Sequence, residues 1–426
     1  MLNIKKISAI LTGCLLSANL ALAAASMPNT PAICNNLNTW LKPAGDKVIA
    51  SPAKIQAMNK AMLSSTMSDL TKHPATISGS TIKQYLDHFE MDYDQYVNGS
   101  YMSRSFADSL ITDAKSTIPA SVPVKYGVVV ERSNLRSFPT LTKAFSSPGD
   151  VNFDNWQETA VDPGSPALIL HKNGKGNFVF VQLNSYRGWL PANKVAITDR
   201  KTWLEFAAPQ TFGIVTDKLL TVSGAGPTHW LFQMGSKIPV TPKGRLLLPL
   251  RNSTGHLNPV EMPAPWGNEL HKGYLPYTEN NIVRMAFKHL GAPYGWGGLR
   301  NSVDCSSYVQ DIYATMGLQL PRNGDEQADA LPGTNLKGLT WQQRDNIIKK
   351  MPTGTLLFTP YHVMLYLGLY NGRPYMIHAL GSYGAKTEDG EIYKDAILQV
   401  VVSDLYLLAG SGNSLLMQMT KVNDYR

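Results

Sequence analysis

The chain has 426 residues, 43% of them hydrophobic, with 39 Lys and Arg against 31 Asp and Glu and a formal net charge of +8. That length exceeds what one apolar core organises and implies two to four domains. Three cysteines exclude a disulfide scaffold, and positive charge scattered without a basic run excludes a nucleic-acid partner.

Residues 1–24 read as an export signal. Lys5 and Lys6 make a basic start, Ile7 to Leu22 is mostly apolar, and Ala21-Leu22-Ala23 fits a small-x-small cleavage site. The apolar run is too short and interrupted to span a bilayer. Leu11-Thr12-Gly13-Cys14 resembles a lipoprotein box, so a membrane anchor follows only if Cys14 is lipidated. The apolar run continues past Cys14, which favours plain secretion to the periplasm or medium. Cleavage leaves Cys34 and Cys305, and a charge of +8 less two lysines, +6. That charge is read either as a solvated surface or as attraction to an anionic wall polymer.

Residues 27–120 are expected to form a helical, loop-rich extension. Ser51-Pro52 is a cap and first-turn proline before Ile55, Met58 and Met62 at helical spacing, and 80–90 and 103–114 are amphipathic. No chemistry is visible there, and a bracing role is expected. From 121 the texture turns to short β-runs separated by Pro, Gly and Asn, and a similar texture returns from 199. Gly188-Trp189-Leu190-Pro191 recurs 85 residues later as Gly273-Tyr274-Leu275-Pro276, suggesting two copies of one β-barrel module, 121–198 and 199–277.

Residues 278–426 change to an α+β pattern. A helix ending at Gly291 and a Tyr-Gly-Trp-Gly-Gly loop lead to "VDCSSYVQDIYATMG". Asp304 is a good N-cap, which makes Cys305 the first helical residue, with Tyr308, Val309, Ile312, Tyr313 and Met316 on one face. Helix amides and the macrodipole favour a thiolate at that position, whereas Asp304 opposes it. His362 opens the strand "HVMLYLG" and His378 lies in the next strand, "YMIHAL". One can act as base and the other can orient it. A two-residue turn at Asn371-Gly372 would put the two histidines on opposite faces, so a shared role requires an odd-length loop or a bulge. On spacing alone, nucleophile and buried small residue both stand for Cys305. No metal or other cofactor is expected, since neither His-Glu-x-x-His nor Cys-x-x-Cys occurs.

The stretch "GAPYGWGGLRNSVDCSSYVQDIYATMGLQLPR", followed by "PTGTLLFT", "YHVMLYLG" and "MIHA", resembles the NlpC-type cell-wall cysteine peptidases. Ser307 and Thr353-Gly354-Thr355 depart from that family's commoner residues without touching the proposed triad. "YGVVVERSNLRSFPT", "FDNWQETA" and "YRGWLPANKVAIT" resemble the first bacterial SH3-like domain of the subgroup with two such domains and a helical extension. The resemblance implies a multidomain α+β protein: an N-terminal helical segment, two small SH3-like β-barrels and a C-terminal papain-like α+β peptidase domain. It implies Cys305 as nucleophile, His362 as base, His378 as orienting residue and Tyr294 as an oxyanion donor with the Cys305 amide. It further implies cleavage of the γ-D-glutamyl–diamino acid bond in peptidoglycan stem peptides or muropeptides with a free N-terminal L-Ala. Asp304 and Ser306 are then expected to meet that ammonium, with Glu158 and Tyr186 on the opposite wall; Trp296 is expected to serve loop packing. Glu158 reads equally as a loop charge. A monomer is expected. The alternatives are an N-acetylmuramoyl-L-alanine amidase and a non-catalytic peptidoglycan-binding scaffold.

Overall fold

The computed structural model describes residues 23–64, 66–224 and 228–426. Residues 1–22, which hold Cys14 and nearly all of the expected export signal, lie outside the described residues. Among the described residues no helix is long and apolar enough to cross a membrane.

The C-terminal region is a six-stranded antiparallel sheet packed against helices. Its strand order is Thr334–Asn335, Lys421–Asn423, Leu356–Thr359, His362–Tyr370, Arg373–Lys386 and Ile392–Asp404. Helix Glu279–Lys288 starts where the Thr278 side chain accepts the Asn281 N–H. The chain leaves it through Gly291, whose φ of 80° suits a residue without a Cβ. The helix buries Ile282, Val283, Met285 and Ala286 against helix Cys305–Ala314, whose apolar face is the expected one: Tyr308, Val309, Ile312, Tyr313 and Met316 are all buried. Each such side chain contributes roughly 1.5–3 kcal/mol on burial.

The N-terminal extension serves two masters. Cys34, Trp40, Ile55, Met58 and Met62 share one apolar core with Tyr277, Ile282, Tyr308, Val363 and Ile377. Met27 joins Met364, Met376 and Val401 in a second core. The expected helices at 80–90 and 103–114 appear as Gly79–Asp87 and Arg104–Ala114. Ile77, Ile82, Leu86 and Ala114 pack instead on Val128, Leu168, Phe180 and Trp189 of the first β-module.

That module is a seven-stranded sheet in the order Val195–Thr198, Lys125–Val129, Pro166–Lys172, Phe178–Gln182, Arg187–Pro191, Ser133–Arg136 and Gln157–Val161. Val129, Leu135, Ile169, Val181 and Leu190 fill its interior. A short helix follows the boundary expected at 198/199. Residues Arg200–Ala207 form a helix whose Trp203 and Phe206 join the cluster around Trp189. The second module, from Phe212 on, is built of short strand groups around Val215, Trp230, Phe232 and Leu246. The two Gly-aromatic-Leu-Pro stretches are not equivalent. Gly188–Pro191 lies within a strand, whereas Gly273 (φ 71°) ends one and Tyr274–Pro276 is extended linker.

Candidate active site

Cys305 sits at the first turn of its helix. The Asp304 carboxylate accepts the Ser307 N–H at 2.9 Å, and the Ser307 hydroxyl accepts the Asp304 N–H at 3.0 Å, a reciprocal capping box. The cysteine is half-buried, and the Val363 N–H, next in sequence to His362, donates to its sulfur. The Cys305 N–H in turn donates to the Tyr294 hydroxyl, so Tyr294 stands at the same helix end. Tyr294 is buried, which raises its phenol well above its ordinary value.

The thiolate favoured by the helix terminus is not the resting state. Burial, followed by the Asp304 charge, pushes the Cys305 thiol up to about 12, against the lowering effects of the Val363 N–H and Arg322. Burial also lowers His362 to about 4, so at neutral pH the pair is thiol and neutral imidazole.

His362 and His378 lie together: His362 Nε2 is 2.7 Å from His378 Nδ1, and His378 Nε2 is 3.0 Å from the Ser403 hydroxyl. Parity is repaired by a bulge. The hairpin turns tightly with Tyr370 opposite Arg373, but the register then shifts between Tyr366 and Gly368, leaving Leu367 as the extra residue. Gly368 takes φ 130° there. The shift brings both histidines to one face of the sheet.

The loop ahead of the cysteine is pinned to the first β-module. Gly297 and Gly298 take φ 55° and 78°, and a Cβ on either would lie 2.5 Å from Gln157 Cγ or Ala160 Cβ. Gln157 Nε2 donates to the Gly297 carbonyl at 2.8 Å, and Trp296 Nε1 to the Asp154 carbonyl at 3.0 Å. Phe153 packs on Tyr294 and Trp296 at ring separations of 5.9 and 5.7 Å. Trp296 therefore packs between modules rather than only within its loop. Asp154 itself is held by the buried Arg136 at 2.6 Å.

Asp304 and Ser306 are engaged by neighbouring residues. Asp304 Oδ2 accepts from Arg322 at 2.6 Å and from the Gly297 N–H at 2.9 Å. Oδ1 accepts from Ser307 N–H, Ser306 and Arg322. Both oxygens accept internal hydrogen bonds, and Arg322 supplies a counter-charge. The Ser306 hydroxyl likewise accepts from Arg322 at 2.8 Å. Arg322 Nε also donates to Thr159 of the first module at 2.9 Å. Glu158 and Tyr186 do meet: the Tyr186 hydroxyl donates to Glu158 Oε2 at 2.7 Å, and Ser137 donates to Oε1. They line a cavity of about 220 Å³ with Gln95, Trp156 and His88. Asn323, beside Arg322, donates to Tyr186 at 3.5 Å, linking that wall to the cysteine's helix.

Arg322 and Ser403 were not singled out by sequence reasoning. The Leu-Pro-Arg stretch placed Arg322 after the helix without giving it a partner, and nothing in "QVVVSD" marked Ser403.

Residues 291–402 match the NlpC/P60 family, and residues 143–191 match the SH3 domain of the SH3b1 type. Over 107 residues the chain is 31% identical to the gamma-D-glutamyl-L-lysine dipeptidyl-peptidase of Bacillus subtilis (strain 168), covering 24% of this chain and 32% of that protein. Over 89 residues it is 35% identical to dipeptidyl-peptidase 6 of Lysinibacillus sphaericus, covering 21% of this chain and 29% of that one. The match thus spans about a third of the length of these relatives. Across 94% of this chain the fold matches a solved structure described as a novel NlpC/P60 endopeptidase from Photobacterium damselae subsp. piscicida, with a TM-score of 0.75 at 18% identity. The protein is thus a multidomain α+β chain with a match to the NlpC/P60 family in its C-terminal domain and a match to the SH3 domain of the SH3b1 type in its first β-module.

Proposed function

We propose that the protein is a cysteine peptidase that hydrolyses the γ-D-glutamyl–diamino acid bond of peptidoglycan stem peptides, preferring a free N-terminal L-Ala. The observation that carries the reading is the Cys305 thiol on a helix N-terminus, against the strand that begins with His362, with the His362–His378 pair behind it.

The chemistry follows from the neutral resting pair. The Cys305 proton passes to His362 as sulfur attacks the peptide carbonyl carbon. The Tyr294 hydroxyl, held by the Cys305 N–H, donates to the developing oxyanion, and loss of such a donor costs roughly 10²–10³ in rate. The leaving amine takes the proton from His362, and water then hydrolyses the thioester. With Asp304 neutralised by Arg322, the Glu158 carboxylate supplies the counter-charge for a substrate ammonium, and Tyr186 orients it. The first module packs on the loop ahead of Cys305 through Gln157 and Phe153, which supports acceptance of a chain end rather than of intact glycan. Export to the periplasm or medium fits such a substrate.

Incubation with purified muropeptides, with products weighed by mass spectrometry, tests the reading. Release of L-Ala-γ-D-Glu is expected, and Cys305→Ala abolishes it. Release of whole stem peptide would identify an amidase instead, and no turnover a binding scaffold.

A further inference from the structure

Ser403 lies in the strand Ile392–Asp404, fully buried, with its hydroxyl 3.0 Å from His378 Nε2. His378 is fully buried too, and its other nitrogen is 2.7 Å from His362 Nε2. Each of these two short contacts needs one donor and one acceptor, so the protons along the line are coupled.

Resting on the reading of Cys305 as nucleophile and His362 as base, we propose that Ser403 is a positioning residue that sets the tautomers of both histidines. His362 Nε2 is taken up by His378, which leaves Nδ1 to receive the thiol proton. For Nδ1 to carry a free lone pair, the proton of His362 must sit on Nε2 and point at His378 Nδ1. His378 must then carry its own proton on Nε2, and in this buried position that N–H needs an acceptor. The Ser403 hydroxyl oxygen is that acceptor. Without it, the favoured arrangement reverses. His378 would place its proton on Nδ1 and donate to His362 Nε2, driving the His362 proton onto Nδ1, where it blocks transfer from sulfur. Ser403 touches neither substrate nor sulfur and acts only through this chain. The charged groups nearest the cysteine are Asp304 and Arg322, and those beside Ser403 are Asp404 and its partner Arg373, which Ser403 variants leave in place.

The test compares Ser403→Thr with Ser403→Val in the full chain. The two side chains have one shape and differ in whether a hydroxyl is present. The readout is the rate of Cys305 alkylation by iodoacetamide from pH 5 to 10, followed by mass of the Cys305 peptide so that the buried Cys34 does not contribute. Ser403→Thr is expected to keep the native profile. Ser403→Val is expected to react about tenfold to a hundredfold more slowly at pH 7, the cost of an unpaired buried donor, with its midpoint displaced upward. Equal profiles for the two variants, both native or both impaired, overturn the inference. Should the β-branched variants fail to fold, Ser403→Ala only removes an atom, and a native profile there overturns it as well. Alkylation needs no peptide. Absence of muropeptide cleavage alongside separated profiles removes the substrate assignment and leaves this inference standing.

Discussion

Arg322→Leu tests whether the Asp304–Arg322 pair supports the site. The side chains of Arg322 and Asp304 are 4% and 6% exposed, and the guanidinium bridges Asp304, Ser306 and Thr159. Leucine would leave the Asp304 carboxylate buried with three neutral donors and no counter-charge. Removing one partner of a buried pair costs about 3–5 kcal/mol, against about 0–1 kcal/mol for an exposed pair. Adding Asp304→Asn removes the stranded charge, so the double variant should be more stable than Arg322→Leu alone by at least about 1 kcal/mol. Urea denaturation of the native chain, both single variants and the double variant closes this cycle. The same substitution deletes a charge that lowers the Cys305 thiol, so alkylation of Cys305 at pH 7 should slow as well. A cost below about 1 kcal/mol for Arg322→Leu, or single-variant costs that simply add, would refute the reasoning.

His289 is buried against Tyr308, and burial lowers it to about 3. Its unfolded value is near 6.5, so between those values the unfolded chain binds the extra proton. Its contribution to stability is complete above about pH 6.5 and is lost as pH falls toward 3. At pH 5 the loss is about 2 kcal/mol. Unfolding free energies from urea titrations at pH 7.5 and 5 should therefore diverge by that amount between the native chain and His289→Phe, and parallel shifts count against the reading. Activity should persist below pH 6 and fall as His362 takes a proton near pH 4; an acid limb centred at 6.5 contradicts the lowered value. Gly298→Ala combines a positive φ with a 2.5 Å approach to Ala160 Cβ, so it should cost more than about 1–3 kcal/mol and detach the loop from the first module; native melting and turnover would disprove the close contact. Deleting Leu367 removes the bulge and returns His378 to the opposite face. Turnover should drop to the Cys305→Ala background, and retention of a substantial fraction would show that the register does not matter.

The histidines show how far sequence carried. Cys305, His362 and His378 stood in local patterns of cap, strand start and alternation, and parity required an odd-length loop or a bulge, which the structure places at Leu367. Helix faces such as Tyr308, Val309 and Ile312 followed from period 3.6. Arg322 could not be read that way, because its partners Asp304 and Thr159 lie 18 and 163 residues away and pairing is set by tertiary packing. The same holds for Gln157 against the Gly297 carbonyl, across 140 residues. The glycine pair in the loop signalled close approach without naming what approaches. At Cys305 the helix terminus and the Asp304 charge were visible in sequence, and the burial that adds to the Asp304 effect was not. The internal partner of Asp304 was likewise out of view in the sequence.

The dual allegiance of the N-terminal extension has a kinetic consequence. Ala25 bonds to Gln399 across 374 residues, the Asn29 carbonyl accepts from Tyr375 across 346, and Trp40 stacks on Tyr375. Tyr277 reaches the carbonyl of Tyr425 in the same core. Contacts of such span close late, because loop closure must be met before packing rewards it. The β-modules can form from local hairpins while the core around Tyr277 and Tyr375 waits for Trp40 and Tyr425. Closure of that core is thus a late step, reached once residues on either side of the β-modules have come together.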